Sequence, residues 1–161
     1  MRFFAAAPSE IQVRLFDRNL VPLTGELEVS EGQSRPGVPV LSAQADRRLG
    51  VGYLDTVFPP DEYQLRFRVL DSGGAPLAPS VIVNEVPPCF LCHSWFQDVA
   101  TTWDGDFVVV WQEEEPLDGS GTGVFGRRFS RDGVPLGPVF GLAELTLGDQ
   151  LSPAVTMDAV G

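Results

Sequence analysis

Strict exchange of apolar and polar residues runs through Tyr63-Gln64-Leu65-Arg66-Phe67-Arg68-Val69. A period of two places every apolar group on one face of an extended chain, so this stretch predicts a half-buried β-strand. Ile11, Val13 and Leu15 alternate with Gln12 and Arg14 in the same way. Phe107 to Trp111 is apolar throughout, which predicts an inner strand covered on both faces. Between such runs stand the residues that tight turns require, as in Asp118-Gly119 and Asp132-Gly133, where glycine accepts positive φ without a Cβ clash.

The pattern recurs. VRLFDRNLVPLTGELEVSE (Val13 to Glu31), FRVLDSGGAPLAPSVIVNE (Phe67 to Glu85) and GRRFSRDGVPLGPVFGLAE (Gly126 to Glu144) align without gaps, with prolines spaced 76 − 22 = 54 and 135 − 76 = 59 residues apart. Leu49-Gly50-Val51-Gly52-Tyr53 corresponds to Phe107-Val108-Val109-Val110-Trp111, each after an Asp-containing turn. Ahead of these turns come short extended segments, Val38 to Ala43 and Asp98 to Thr101, with Ala154 to Met157 as the third of the set. One unit therefore reads as four short antiparallel strands. A repeat of this length predicts tandem units too small to bury a core alone, which must gain it by packing on one another. The expected fold class is all-β, an open or partial array of β-propeller-like blades, with a β-sandwich as the alternative. The units fall at 11–48 (partial), 49–106 and 107–161, the last incomplete at its C-terminal end. Both chain ends read as cut from a longer array, whose further blades the chain would contact.

Composition narrows the classes. In 161 residues, 17 Gly and 14 Pro interrupt the chain too often for long helices, and a hydrophobic content of 43% excludes a disordered chain. The net charge of −11 repels phosphate backbones and anionic lipid heads, so nucleic acid is excluded as the expected partner. No apolar run approaches the roughly 20 residues of a spanning helix, so membrane insertion is not expected. The apolar run Phe3 to Ala7 is shorter than the roughly 7 to 15 residues of a secretory signal core.

DGDFVVVWQEEEPLDGSGTGVFGRRFSRDGVPLGPVF (Asp104 to Phe140), followed by GDQLSPAVTMDAVG, resembles a repeat of large exported bacterial proteins with the pattern DGDFVVVWQ, GVFGQRF and DG-x-PLG. The match is close over Asp98 to Gly161 and degenerate over Ile11 to Glu85, where Gly50 and Gly52 replace valines. The resemblance implies a propeller-like, non-enzymatic module, located extracellularly, at the cell surface or in the periplasm, with a protein or glycan partner. It transfers no catalytic residues. Arg14, Arg68 and Arg127 fill one aligned position, and a residue repeated in every copy reads as scaffold, because a catalytic centre needs only one.

Both cysteines and the only histidine fall in Cys89-Phe90-Leu91-Cys92-His93. C-x-x-C-H is the attachment sequence of c-type haem, with two thioethers and an axial imidazole, so Cys89, Cys92 and His93 are the candidate cofactor-binding residues of an electron-transfer alternative. A local disulfide with His93 exposed is the competing reading, and zinc would need a fourth ligand such as Asp98. No metal site is otherwise expected: Asp104-Gly105-Asp106 and Asp118-Gly119-Ser120-Gly121 lack the full calcium-loop pattern and read as hairpin turns. Glu113-Glu114-Glu115 reads as a solvated loop; Trp95, Trp103 and Trp111 read as a candidate platform for stacking on a sugar, with Trp111 in the core and Trp95 and Phe96 freer.

Overall fold

The computed structural model describes residues 2–6, 10–31, 37–57, 62–84, 94–114 and 121–158, which contain strands and turns and no helix. The expected all-β class is therefore observed. Among the described residues eleven strands follow one another: β1 Arg2–Ala6, β2 Glu10–Arg14, β3 Leu27–Glu28, β4 Gly37–Ala43, β5 Leu49–Val57, β6 Glu62–Leu70, β7 Val81–Ile82, β8 Ser94–Thr101, β9 Phe107–Glu113, β10 Gly123–Phe129 and β11 Phe140–Gly141. They form three antiparallel sheets with neighbours in chain order, β1-β2-β3, β4-β5-β6-β7 and β8-β9-β10-β11. Two features differ from the sequence reading. Arg2–Ala6, read only as part of an apolar run too short for export, pairs with β2. The divisions at 49 and 107 fall inside sheets, because the turns Gln44–Arg48 and Thr102–Asp106 fold β4 onto β5 and β8 onto β9.

The Pro-Leu blocks close β2 onto β3, β6 onto β7 and β10 onto β11. Phe16 bridges Pro22, Leu70 bridges Pro76 and Phe129 bridges Pro135. Within each turn one short polar side chain caps two amides. Asp17 Oδ1 accepts from Asn19 and Val21, Asp71 Oδ1 from Gly73 and Ala75, and Ser130 Oγ from Asp132 and Val134. Such caps satisfy backbone donors that a tight turn leaves over, which is why Asp and Ser stand there.

The core lies between the sheets. One cluster joins Ile11, Val13, Leu15 and Val29 of the first sheet to Leu49, Val51, Tyr53 and Leu70 of the second. The other joins Leu54, Leu65, Phe67, Val69 and Val83 of the second to Val99, Phe107, Val109, Trp111, Phe125 and Phe129 of the third. The aligned arginines stitch these junctions. Arg14, Arg68 and Arg127 each donate Nε to the carbonyl ten residues on, of Thr24, Ala78 and Gly137. Arg68 then reaches back to Val29 O at 2.8 Å, and Arg127 to Val83 O at 3.3 Å, each in the preceding sheet. A planar guanidinium with several fixed donors can join three carbonyl or carboxylate groups at once, which a lysine ammonium on a flexible stem does not reproduce.

Candidate functional site

The β4–β5 and β8–β9 hairpins have the same turn. Gln44 N donates to Arg48 O at 2.8 Å and Thr102 N to Asp106 O at 2.8 Å, with Arg47 (φ 71°) and Gly105 (φ 102°) in the left-handed position. The two tips lie beside the turn that follows β10, and the buried Gln44 side chain links all three. Its Nε2 donates to Gly105 O and to Arg131 O. Gly105 is needed for closeness as well as for its φ, since a Cβ there would stand 3.2 Å from Arg131 Cβ and 3.3 Å from Gln44 Cδ.

Over this junction opens a cavity of about 330 Å³ lined by Gln44, Asp46, Trp103, Asp104 and Arg131, among others. Trp103 is 69% exposed, whereas Trp111, expected in the core, is fully buried. Around the indole stand charged groups of both signs. Asp46 accepts from Arg131 at 2.8 Å and lies 3.4 Å from Arg48, which also pairs with Asp132. The Arg48 amide, with the Arg131 and Arg48 guanidinium groups, holds the Asp46 carboxyl below the usual carboxylate range. The Thr102 hydroxyl beside Asp104 lowers its carboxyl in the same sense, helped by backbone amides and Arg128. Gln44 Oε1 is buried and has no hydrogen-bond partner among the described residues. An exposed aromatic plate flanked by fixed carboxylates and a guanidinium suits a ligand with an apolar face and many hydroxyls.

The residues singled out in the sequence fare differently. Cys89, Cys92 and His93, which follow β7 and precede β8 in the sequence, lie outside the described residues, and so do Asp118, Gly119 and Ser120. The Asp104-Gly105-Asp106 stretch is a hairpin turn, with Asp104 engaged by Thr102 and Asp106 facing Arg128. Among the described residues no three His, Cys, Asp or Glu side chains gather as a metal site. The reading of Glu113 as solvated is corrected: it ends β9, is buried, and accepts from Trp111 Nε1 at 3.2 Å and Asn84 Nδ2 at 3.4 Å. Those donors replace water, so the carboxylate is held inside. Its counterpart Asp55, inside β5, is buried against Arg66 at 2.9 Å. Gln44, Asp46 and Arg131 had no sequence signal, since only the third dimension brings the three turns together. Searches against family models, curated proteins and solved structures return no match for this chain.

Proposed function

We propose that this chain is a non-enzymatic binding module of an exported bacterial protein, built of propeller-like stacked blades, whose Trp103 cleft takes a glycan. The exposed Trp103 beside Asp46, Asp104 and Arg131 carries the reading. A pyranose ring stacks its C–H face on indole and offers hydroxyls to fixed polar neighbours. Binding without hydrolysis is the use that fits this cleft. Glycoside cleavage needs a carboxyl kept protonated near neutrality as the acid, and both cleft carboxyls are displaced the other way.

Titration calorimetry with cello-, xylo- and chito-oligosaccharides tests it. At least one series should bind, and Trp103→Ala should abolish binding without lowering the unfolding midpoint. No heat with any series, or full affinity in the alanine variant, overturns the assignment. The C-x-x-C-H motif favours a second reading, electron transfer with covalent haem on Cys89 and Cys92 and His93 as axial ligand. Expression alongside c-type haem maturation, read by visible absorption and intact mass, decides it: no Soret band and no haem-sized increment remove that reading.

A further inference from the structure

The two outer sheets carry complementary edges. The first sheet has strands at only the second to fourth positions: Phe4 stands opposite Gln12 as Tyr53 stands opposite Arg66 and Trp111 opposite Phe125. The edge of β1 to which β4 or β8 would correspond pairs with nothing among the described residues. At the other end lies an unused first strand. Residues 153–158 alternate half-buried and exposed, against the third sheet. They are held there by side chains, with Ser152 N donating to Gln112 Oε1 at 2.8 Å and Val155 N to Asp98 Oδ2 at 3.0 Å. Among the described residues no backbone hydrogen bond engages Pro153 to Met157. In the repeat alignment Val155 takes the place of Leu41 and Val99, which face Val51 and Val109 across their ladders.

The side chains tell the same story. Leu142 N donates to Val124 O as Val29 N does to Ile11 O and Val83 N to Leu65 O. Val29 and Val83 are 0% exposed under the next sheet, whereas Leu142 is 45% exposed, with Leu145, Leu147 and Leu151 bare beside it. Arg14 sits in the slot from which Arg68 and Arg127 reach back to Val29 and Val83, and among the described residues it has no such acceptor.

We propose that two copies of this chain associate head to tail. Residues 153–158 of one copy add to β1 of the other as its missing first strand, with Val155 opposite Arg2, and Arg14 of the second copy donates to the Leu142 carbonyl of the first. The inference rests on the stacked-repeat part of the reading above and not on the glycan. The occupant is a second copy because the junction continues the two inside each chain and both halves are present on one molecule. Such a heterologous contact closes only as a ring. With three units per copy, the usual range of roughly four to eight blades admits only two copies and six units.

Light scattering after size exclusion, across micromolar concentrations of the chain, is the test. The expected mass is twice 17.5 kDa. Leu147→Arg, at an exposed site that cannot harm the monomer fold, and Arg14→Glu should each give monomers with unchanged near-ultraviolet dichroism. Mixed in equal amounts they should regain a dimer, since one junction then pairs two intact faces. Trp103→Ala should stay dimeric, which separates this proposal from the glycan assignment. A monomer at every concentration, an open-ended series of oligomers, or a dimer that survives Arg14→Glu overturns the proposal.

Discussion

Gly50 separates the repeat from its packing. Val108 stands at the corresponding place in the third sheet, so alignment of the copies nominates Gly50→Val as a restoring change, worth up to about 1 kcal/mol in strand preference. The structure gives the opposite sign. A Cβ at Gly50 would lie 2.5 Å from Phe107 Cε1 and 2.9 Å from Phe67 Cε2. Carbon atoms rest at about 3.5–4.0 Å, so the rings would have to retreat by about 1 Å. They are not free to do so: Phe67 meets Phe107 edge-on at 5.2 Å and Phe129 at 4.8 Å, all buried between the second and third sheets. Overpacking of this kind costs about 1–3 kcal/mol, which exceeds the strand gain, so Gly50→Ala should lose about 1–2 kcal/mol and Gly50→Val more. Urea unfolding followed by tryptophan fluorescence reads the difference. In a Phe107→Leu background the ring edge is gone, and Gly50→Ala should cost at least about 0.5 kcal/mol less than it does alone. A raised midpoint for Gly50→Val, or strict additivity with Phe107→Leu, would refute the reasoning.

Leu20 holds φ 62° where Gly74 and Gly133 hold the same turn position in the other sheets, so Leu20→Gly should stabilise by about 0.5–1 kcal/mol in thermal unfolding. Gly74→Ala should do the reverse and by more, because its Cβ would also lie 2.4 Å from Leu27 Cδ1. Arg68→Ala strips donors from Val29 O, Ala78 O and the Glu31 carboxylate, and should cost about 2–3 kcal/mol by urea unfolding. Arg14→Ala, measured at low concentration, loses the Thr24 carbonyl contact and the Phe16 ring face 5.4 Å away, and should cost about 1 kcal/mol. Burial works against ionisation of Glu31, yet the Ser80 hydroxyl and amide together with Arg68 and Arg66 outweigh it and hold the carboxyl below its ordinary 4.5. A folded value below the unfolded one means that the contribution is complete above about pH 4.5 and is lost as pH falls through the folded value. The urea midpoint should therefore drop in that acid window, and Glu31→Gln should flatten the drop.

The order of strands was legible because sheet and turn chemistry are local. Alternation around Leu65 to Val69 and the turns at Asp17, Asp71 and Ser130 involve neighbours in the chain, and the copies reinforce one another. The arginine position was legible as scaffold for the same reason, although its reach to the preceding sheet was not. What escaped depends on which sheet face meets which. Glu113 reads as one of three exposed glutamates, but the strand continues through it and carries it beneath Asn84 and Trp111. Gly50 reads as decay of a repeat until the Phe107 ring is placed against it. The cleft was barely visible: Trp103 is one of three candidate tryptophans for stacking, with Trp95 and Phe96 reading as freer, while Gln44, Asp46 and Arg131 are ordinary turn residues, with Gln44 distant from Arg131 by 87 positions.

Because the cleft spans the second and third sheets, the proposed ligand binding would be coupled to the core between them. Gln44 and Asp46 come from the second sheet's first hairpin, Trp103 and Arg131 from the third sheet's turns. A ligand that touches both sets binds only while that junction is stacked, and at about 100 times its dissociation constant it should stabilise the stacked state by about 2.7 kcal/mol. In a tandem array each junction contributes separately, so the gain should appear at the Phe67–Phe107–Phe129 core and fade toward the first sheet. Amide exchange reads this directly. If an oligosaccharide binds as proposed, its addition should raise protection for Val69, Val109 and Phe129 and leave Ile11 and Val13 unchanged. Uniform slowing across all three sheets would mean that the junctions unfold as one unit, and that the stack is more cooperative than its separate cores imply.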